Sequence, residues 1–427
     1  MGNKWNYLPF TEAVEVNPSV PLKRGKIYPF VDMKAVESSR RGASESESRE
    51  FKSGGARFMP FDTLMARITP CLENGKIARY IPSEGVGGPA FGSTEFIVIR
   101  GREGVTDNDY AYYLTKWEEF RQFAISQMTG SSGRQRVPAD SLAKFLAPAP
   151  ESLSEQRAIA HILGSLDDKI ELNQQMAQTL ESIARAIFKS WFVDFDPVKA
   201  KMEGKQPEGM SEEVAALFPD KFVESKLGMI PEGWASGRFS DISENIRINI
   251  RKDAINPNDC YIGLEHIPRK SLFLNNWGIG ADVTSNKHRF LRYDLLFGKL
   301  RPYFHKIIIA PFNGICSTDI LVIRSLEPHW YSLMTLGLSQ ESVVDNVTNQ
   351  SEGTRMPRTN WNQVGSQPIV IPSKKVAIAF DALILPMLQR VVEMAHENRH
   401  LSELRDTQLP RLISGKIRVN QPEDAAE

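Results

Sequence analysis

Apolar positions alternate at steps of four and three along residues 152–196, which predicts one long helix. Heptad spacing of this kind favours a left-handed supercoil with a partner helix. Ser152 and Glu155 fit a capping box at the start, and Asp196-Pro197 predicts the end. At ~1.5 Å per residue, such a rod is roughly 60 Å long. The seam is formed by Ile159, Leu163, Leu166, Ile170, Ala177, Leu180, Ala184, Ile187 and Trp191, with Asn173 in the one gap.

Asn173 has two interpretations. A polar side chain in a heptad seam can fix the register of a helix pair at some cost in stability. The alternative is a solvated polar step. At the end of the same helix, Phe188, Trp191, Phe192 and Phe195 cluster, and we expect them to pack against a module or to contact a partner.

A second long helix is predicted over residues 373–415 and is the natural partner of the first. Arg390 and Glu397 interrupt its seam, and Pro386 predicts a kink. Gly415 suits a C-terminal stop. The predicted seam residues are Val376, Phe380, Leu383, Met387, Met394, Leu401 and Leu404.

The chain contains a duplication that precedes each helix. The segment Gly92–Arg100 (GSTEFIVIR) recurs as Cys316–Arg324 (CSTDILVIR), and the loop Thr129–Pro138 loosely matches Asn349–Arg358. A further set recurs 232 positions later, in the same order: Arg57-Phe58, Asp62, Leu64 and Pro70 become Arg289-Phe290, Asp294, Leu296 and Pro302. The order is therefore module, helix, module, helix, and a pseudo-twofold axis would make the helices antiparallel.

Within each module, short β-rich runs such as 95–99 and 320–323 alternate with turns, and residues 109–127 and 330–347 look helical. This mixture predicts an α+β fold with two tandem modules separated by two long, antiparallel, coiled-coil-like helices. The predicted connector is an extended surface segment rich in Lys, Glu, Gly and Pro, with a short helix at 211–217 capped by Ser211. The predicted segments are a module at 1–151, a helix at 152–196, the connector at 197–230, a module at 231–372, a helix at 373–415 and a tail at 416–427.

Composition limits the class of protein. A chain of 427 residues is too long for one ordinary core, so two or more domains are expected. It has no long uncharged apolar run and its first residues, MGNKWNYLPF, lack a signal core, so we expect a cytoplasmic protein. Cys71, Cys260 and Cys316 are far apart, which disfavours disulfides or a zinc knuckle.

The formal net charge is zero, but its distribution is uneven. Residues 1–150 hold 20 basic and 17 acidic residues, and residues 225–372 hold 16 and 13, so each module carries a net charge of +3. The remaining segments are acidic. Two mildly basic modules are compatible with nucleic-acid binding, although a charge of this size is also ordinary for a domain.

Few catalytic patterns are present. His396-Glu397-Asn398-Arg399-His400 matches the H-E-x-x-H zinc signature, but the neighbouring Leu401 and Leu404 belong to a packing seam and no third ligand stands out. There is no phosphate-binding loop, dinucleotide fingerprint or nucleophile elbow. Asn17-Pro18-Ser19 and Asp196-Pro197-Val198 lack the second proline and the aromatic residue of an adenine methylase motif. Asp167-Asp168 is interpreted as a solvated carboxylate pair.

Candidate DNA contacts concentrate in the repeated loops and near the repeated core. Glycine lets backbone approach a phosphate, arginine can fork onto guanine and glutamine onto adenine. For each residue the alternative is an ordinary surface position or an ion pair, and Asp62 and Asp294 are predicted to be turn or arginine partners. The candidates are Arg57, Arg67, Ser131, Ser132, Arg134, Gln135 and Arg136 in the first module and Arg289, Lys299, Arg301, Gln350, Ser351, Arg355 and Arg358 in the second.

The chain resembles the specificity subunit of type I restriction–modification systems, most strongly in the segments Leu153–Gly204, Gly228–Trp234 and Leu404–Val419. The resemblance implies two target-recognition domains, each reading half of a split DNA sequence, and helices that set the gap and dock the modification subunits. It implies a noncatalytic subunit without a cofactor of its own. S-adenosylmethionine would reside in two partner modification subunits, and ATP with Mg in restriction subunits. Two alternatives stay open: a zinc hydrolase using His396, Glu397 and His400, and a protein-binding scaffold.

Overall fold

The computed structural model describes residues 5–131, 133–353 and 356–419. These residues belong to two compact units. The first unit contains the chain up to Glu171 and the chain from His400 onward, and the second contains Leu172–Arg399. Each unit therefore holds one module and part of each long helix. In the described ranges, no helix has the length and hydropathy that a membrane crossing requires.

The first module and the helix after it contain these elements: β1 (Trp5–Pro9), α1 (Phe10–Ala13), β2 (Val14–Val16), β3 (Ile27–Val31), β4 (Gly42–Ala43), β5 (Glu47–Glu50), β6 (Ala56–Phe58), β7 (Thr63–Ala66), β8 (Ile77–Tyr80), β9 (Ala90–Gly92), β10 (Phe96–Gly101), α2 (Asn108–Lys116), α3 (Glu118–Ser126), a 3-10 helix at Ala139–Lys144, β11 (Leu146–Pro150) and α4 (Leu153–Phe192).

The connector contains α5 (Asp196–Met202), α6 (Glu212–Ala215), β12 (Phe222–Ser225) and β13 (Gly228–Pro231). The second module and its helix contain β14 (Ala235–Arg238), β15 (Ser243–Ile246), β16 (Ile248–Ile250), β17 (Cys260–Ile262), β18 (Gly278–Ile279), β19 (Lys287–Phe290), β20 (Leu295–Gly298), β21 (Ile307–Ile309), β22 (Gly314–Ser317), β23 (Ile320–Ser325), α7 (Tyr331–Leu338), α8 (Glu341–Asn349), α9 (Trp361–Gly365), β24 (Pro368–Ile371) and α10 (Lys374–Ile413). Its 3-10 helices are Phe239–Asp241, Lys252–Ala254, Gly280–Asp282, Pro302–Phe304 and Pro328–Trp330.

The two modules repeat one topology, as the duplicated sequence predicts. One sheet has the strand order β2-β10-β7-β8-β4 in the first module and β15-β23-β20-β21 in the second. The other has the order β5-β3-β9-β6 and its counterpart β18-β17-β22-β19-β16. Even the parallel pairing recurs, between β3 and β9 and between β17 and β22. The α+β prediction is confirmed.

A buried aspartate holds the same turn in each module. Asp62 is 1% exposed and accepts hydrogen bonds from Arg100 Nε and Nη2, both at 2.7 Å, and from the backbone N–H of Met59. Asp294 is 3% exposed and accepts from Arg324 Nε at 2.7 Å and Nη2 at 2.8 Å. The prediction that both aspartates are turn or arginine partners is confirmed. Charge-assisted forks of this kind are the strong class of side-chain hydrogen bond.

The first long helix, α4, ends earlier than predicted. Ser152 caps it, since its Oγ accepts from the Glu155 N–H at 3.3 Å. The helix stops at Phe192, and Phe195 adopts the left-handed conformation with φ 56°. Pro197 does not terminate α4, because it occupies the first turn of the separate helix α5, where a proline lacks no needed donor.

The predicted seam of the second long helix holds at Val376, Phe380 and Met394, which are buried, but it is out of register between them. Leu383 is 42% exposed, whereas Ile384 is fully buried. The buried positions follow three consecutive steps of four from Val376, which shift the seam onto Val391 and leave Arg390 beside it. The helix continues through Pro386 without interruption. The buried positions of α10 in the second unit include Val376, Phe380, Ile384, Leu388, Val391, Met394, Ala395 and Asn398.

Within each unit, α4 and α10 run antiparallel. In the first unit, Ile159 and Leu163 share an apolar core with Leu409 and Leu412. In the second, Ala177 packs with Val391 and Met394. The predicted aromatic cluster is core: Phe188, Trp191 and Phe192 are buried with residues of the second module and α10, including Trp234 and Phe380.

Three smaller expectations are corrected. Residues 109–127 form two helices, because Trp117 is extended (ψ 130°) and buries its ring beside Phe145. The connector is not simply extended, since it folds into α5, α6 and the β12–β13 hairpin, although Ser211 does cap α6. Asp167 is not solvated: it is 7% exposed and accepts from Tyr113 Oη at 2.8 Å and Arg405 Nη1 at 2.7 Å. Asp168 is exposed and pairs with Arg41.

Candidate nucleic-acid interface

A polar groove of about 480 Å³ opens in the second module, between the end of β15, strand β19 and the segment before β23. Arg247, Lys299 and Arg358 bring three positive charges to this second-module groove, against the one carboxylate of Asp319 among its described lining residues. An excess of positive charge in a concave surface attracts anions. The polar residues that line it are Asn245, Arg247, Asn249, His288, Lys299, Thr318, Asp319, Arg358, Thr359 and Asn360.

Backbone hydrogen bonds fix the floor of the second-module groove. The Lys299 N–H donates to the Asp319 carbonyl at 2.8 Å, and the Thr359 N–H donates to the Lys299 carbonyl at 3.0 Å. Arg358 Nη2 lies 3.4 Å from Asp319 Oδ1. At the opposite wall, the Asn245 amide is oriented so that its nitrogen donates to the Val322 carbonyl at 3.2 Å. Its oxygen then accepts from Arg247 Nε at 3.0 Å. The two guanidinium groups and the backbone of Lys299 are therefore positioned before a ligand arrives.

The charges in this groove influence one another. Burial lowers the pKa of Lys299; Asp319 opposes the change, and Arg247 and Arg358 add to it. Burial also lowers the pKa of His288, with smaller contributions from Lys299 and Arg247. Because clustered cations repel, an anion placed among them would relieve repulsion as well as gain attraction. Phosphate oxygens and the acceptor edge of guanine have the matching chemistry.

The first module has a groove at the corresponding place, of about 350 Å³. Glu15 and Arg100 are partners in the β2–β10 ladder, as Glu244 and Arg324 are in β15–β23, which aligns the two grooves. This first-module groove has a single cation, Arg57, among its described lining residues. Its lining residues are Asn17, Pro18, Ser19, Val20, Gly55, Ala56, Arg57, Thr94, Phe96 and Val98.

An arginine forms an ion pair that holds the predicted binding loop in each module. Arg136 forks onto Glu95 through Nε at 2.9 Å and Nη2 at 2.7 Å, and its Nη1 donates to the Arg134 carbonyl at 3.2 Å. The Arg136 hydrogen bond lowers the pKa of Glu95, while burial opposes this effect. These three nitrogens are therefore already engaged in holding the loop. Arg358 takes the same role beside Asp319, although more loosely and with greater exposure.

The loop backbone corrects the sequence alignment. Arg136 exchanges both backbone hydrogen bonds with Thr129, at 3.0 and 2.9 Å, and Arg358 does the same with Glu352, at 3.0 and 2.9 Å. Each arginine also bridges to the strand end beside it, Ile68 or Leu300. Arg136 therefore corresponds to Arg358. The loose match of Thr129–Pro138 to Asn349–Arg358 pairs Arg136 with Met356 instead, so that match is wrong by two residues.

The other predicted contacts are scattered. Ser131 and Arg134 are exposed on the first loop, whereas Gln135 is half-buried and its carbonyl accepts from the Thr69 N–H at 3.0 Å. Arg67 is half-buried near Glu95. Arg289 is exposed, on the opposite strand face from His288.

Several predicted contacts of the second module take part in local packing. Arg301 has φ 51°, and its guanidinium lies over the Phe304 ring at 5.9 Å. The Gln350 side chain accepts from Gln367 Nε2 at 2.9 Å, and Ser351 Oγ donates to the Thr348 carbonyl at 2.6 Å. Two further predicted contacts, Ser132 and Arg355, lie outside the described residues.

Comparison with known proteins shows which proteins the chain is similar to. The family described as the type I restriction modification DNA specificity domain matches residues 67–182. The specificity subunit of the HindI type I restriction enzyme of Haemophilus influenzae is 26% identical over 375 residues, which cover 76% of this chain and 81% of that protein. The chain is therefore similar to type I specificity subunits over about three quarters of its length.

Two further proteins of this kind are also similar to the chain. The MjaIX specificity subunit of Methanocaldococcus jannaschii is 24% identical over 335 residues, covering 75% of this chain and 71% of that protein. The crystal structure of a type I restriction–modification S subunit from M. genitalium superposes with a TM-score of 0.55 at 12% identity, over 96% of each chain. At this identity, the structural likeness shows a shared fold.

The similarity to type I specificity subunits leaves the zinc hydrolase alternative without support, and the geometry agrees. His396 Nε2 lies 2.7 Å from the Pro311 carbonyl and packs beside Trp277. The Glu397 carboxylate binds Arg390 Nη1 at 2.5 Å and accepts from Asn173 Nδ2 at 3.0 Å. Both side chains are therefore engaged by other parts of the protein, and no group of three or more metal-ligating side chains occurs in the part of the chain that the structure describes.

Sequence reasoning missed several groove residues, including Arg247, Asn249 and His288. No motif marks them, because they come from separate segments that the sheets bring together. One signal was available, since Arg247 follows the strand that corresponds to the one before Asn17-Pro18-Ser19. Comparing those two segments as duplicated loops would have drawn attention to the groove wall.

Proposed function

We propose that this chain is the DNA sequence-specificity subunit of a type I restriction–modification complex in the cytoplasm. The observation that carries the proposal is the repeated groove: one fold occurs twice and has a polar groove at the same place in each copy. Each module then reads one half of a bipartite double-stranded DNA target. The groove cations supply the affinity for phosphates, and the amides, hydroxyls and arginines supply hydrogen bonds to base edges.

The DNA contacts that we propose centre on the two grooves. In the second module they are Arg247, Lys299 and Arg358, with Asn249 and Asn360 as further base readers. In the first, Arg57 lies in the groove, and its guanidinium is already held over the Phe51 ring at 4.9 Å. The exposed loop residues Ser131 and Arg134 stay candidates for phosphate contact, while Arg136 supports the loop that presents them.

The remaining parts of the complex complete the reaction. Specificity subunits of this family are noncatalytic, so we assign methyl transfer with S-adenosylmethionine to two modification subunits. ATP- and Mg-dependent translocation and cleavage are assigned to restriction subunits. We propose that the antiparallel helices α4 and α10 set the gap between the half-sites.

The test of this proposal is a map of methylated adenines in DNA exposed to the chain together with its modification subunits. We expect one motif of two short half-sites separated by a fixed number of unread base pairs. A continuous motif, or methylation without sequence preference, would contradict it. A protein-binding scaffold predicts no such motif and lacks the steep loss of DNA affinity with salt that phosphate contacts produce.

An exposed apolar stripe on α4 is our proposed docking face for a modification subunit. Leu172, Met176 and Ile183 are 50%, 36% and 42% exposed and lie together on one flank of α4, outside the Ala177–Ala184 seam. Changing Met176 and Ile183 together to Glu should weaken the complex at least tenfold, because charges placed in an apolar interface lose hydration. Sedimentation with the modification subunit measures it.

The matched control changes Gln178 and Ser182 to Glu, on a different, polar side of the same helix. It adds the same charge and should leave the affinity for the modification subunit within about twofold. Equal weakening by both variants would show that charge rather than the apolar stripe is responsible.

A further inference from the structure

The contact between α4 and α10 in the second unit includes a buried polar layer. Asn173 is fully buried in the α4 seam, and its Nδ2 donates to Asn398 Oδ1 at 2.9 Å and to Glu397 Oε2 at 3.0 Å. Asn398 is itself only 3% exposed. Arg390 holds Glu397 from the same helix. The amide layer consists of the two amides, Asn173 and Asn398, and the Glu397 carboxylate that Asn173 also contacts.

The amide layer contains a polar atom whose burial is unfavourable. Beside it, Ala177 packs with Val391 and Met394 in an apolar cluster. Asn173 Oδ1 is buried and accepts from no donor among the described residues. An unsatisfied buried acceptor is unfavourable, so an apolar side chain at this position would give a more stable seam. The contribution of the layer must therefore come from something other than stability.

Register is the property that the amide layer does control. Moving one helix past the other by one heptad would place Asn173 against Val391 in one direction, or Asn398 against Leu180 in the other, since each of these residues is seven positions from the present partner. Both amides would then be buried without the hydrogen bond that they now share. Sliding is thus opposed by two desolvated polar groups, whereas an all-apolar seam would tolerate it.

We infer that the amide layer is a positioning device that restricts the helix pair to one register and so restricts the complex to one gap length. The inference rests on the proposed function, in which these helices set the gap. A heptad is ~10.5 Å long at ~1.5 Å per residue, which equals about three base pairs at ~3.4 Å each. Neither Asn173 nor Asn398 needs to touch DNA to influence which targets are accepted.

The test compares gap preference rather than activity. The whole complex with its modification subunits methylates a library in which the two half-sites are separated by the preferred gap or by gaps up to three base pairs shorter or longer. Wild type should strongly prefer one gap. Replacing both Asn173 and Asn398 with Leu should raise relative methylation of the other gaps at least tenfold, while the thermal midpoint stays equal or rises.

Two controls separate register from loosening of the fold. Val391→Ala opens a cavity in the same seam but keeps the amide layer, so it should lower the thermal midpoint without broadening the gap. Asn398→Ala removes one amide without adding bulk and should broaden the gap even if the double variant folds poorly. An unchanged profile in both Asn398→Ala and the double variant, or equal broadening by Val391→Ala, would overturn the inference. Absence of any gap preference in wild type would instead overturn the proposed function, and this inference with it.

Discussion

Replacing Arg247, Lys299 and Arg358 together with alanine should lower DNA affinity by on the order of 10²–10⁴-fold and remove preference for one half-site only. A good bidentate contact to a base contributes ~1–3 kcal/mol, and the expected loss corresponds to the lower part of that range, about 1–2 kcal/mol, for each of the three groups. The first module keeps its own groove, so its half of the recognition motif should persist in the DNA that is still methylated. Adenine mapping and binding titrations measure both effects.

The salt dependence distinguishes direct contact from indirect damage. Each phosphate contact adds ~0.9 to the slope of log affinity against log salt, so loss of two or three contacts should make the slope less negative by about 2–3. The control replaces Lys226, Lys270 and Lys374, which are exposed outside the groove, and removes the same charge. If this control reduces affinity and slope equally, general charge and not the groove attracts DNA.

Local and repeated features could be predicted from the sequence, because their physical causes are local. The long helix α4 follows from its heptad seam and its Ser152 cap, and the module duplication follows from matched segments such as Gly92–Arg100 and Cys316–Arg324. The repeated Asp62 was assigned correctly as an arginine or turn partner, since a short carboxylate between turn residues has few other roles. Asn173 was identified as a seam residue with two interpretations, and its burial decides between them.

Features that depend on tertiary packing were missed or misplaced. Trp117 breaks a helix with no proline or glycine nearby, because burying its ring outweighs helical continuity. Asp167 looks like a surface carboxylate until Tyr113 and Arg405 arrive from other parts of the chain. The α10 seam departs from the heptad pattern through repeated steps of four, which sequence alone does not distinguish from the four/three alternative. The second-module groove draws its residues from separated segments that only the sheets bring together.

The second large effect is expected from Asp294→Ala, which should destabilise the second module by about 2–4 kcal/mol. Removing one partner of a buried ion pair costs ~3–5 kcal/mol, and the lower range applies because the Arg324 side chain is 34% exposed. The change also leaves the Leu291 N–H, which donates to Asp294 at 2.7 Å, without that acceptor. Thermal unfolding followed by limited proteolysis would report cleavage that begins in the second module.

The corresponding change in the first module, Asp62→Ala, makes the Asp294 prediction specific to its module. Asp62 accepts the same fork from Arg100, so its loss should destabilise the first module by a similar free energy. Early cleavage should then begin in the first module. Asp319→Ala is the matched control, because this carboxylate is 29% exposed and its contact with Arg358 is 3.4 Å, so it should change stability by less than about 1 kcal/mol. If Asp294→Ala is as stable as Asp319→Ala, the turn does not depend on the buried fork. A module-specific loss would mean that the same aspartate–arginine bond supports each reader separately, so that one half of the target can be altered by mutation without unfolding the other.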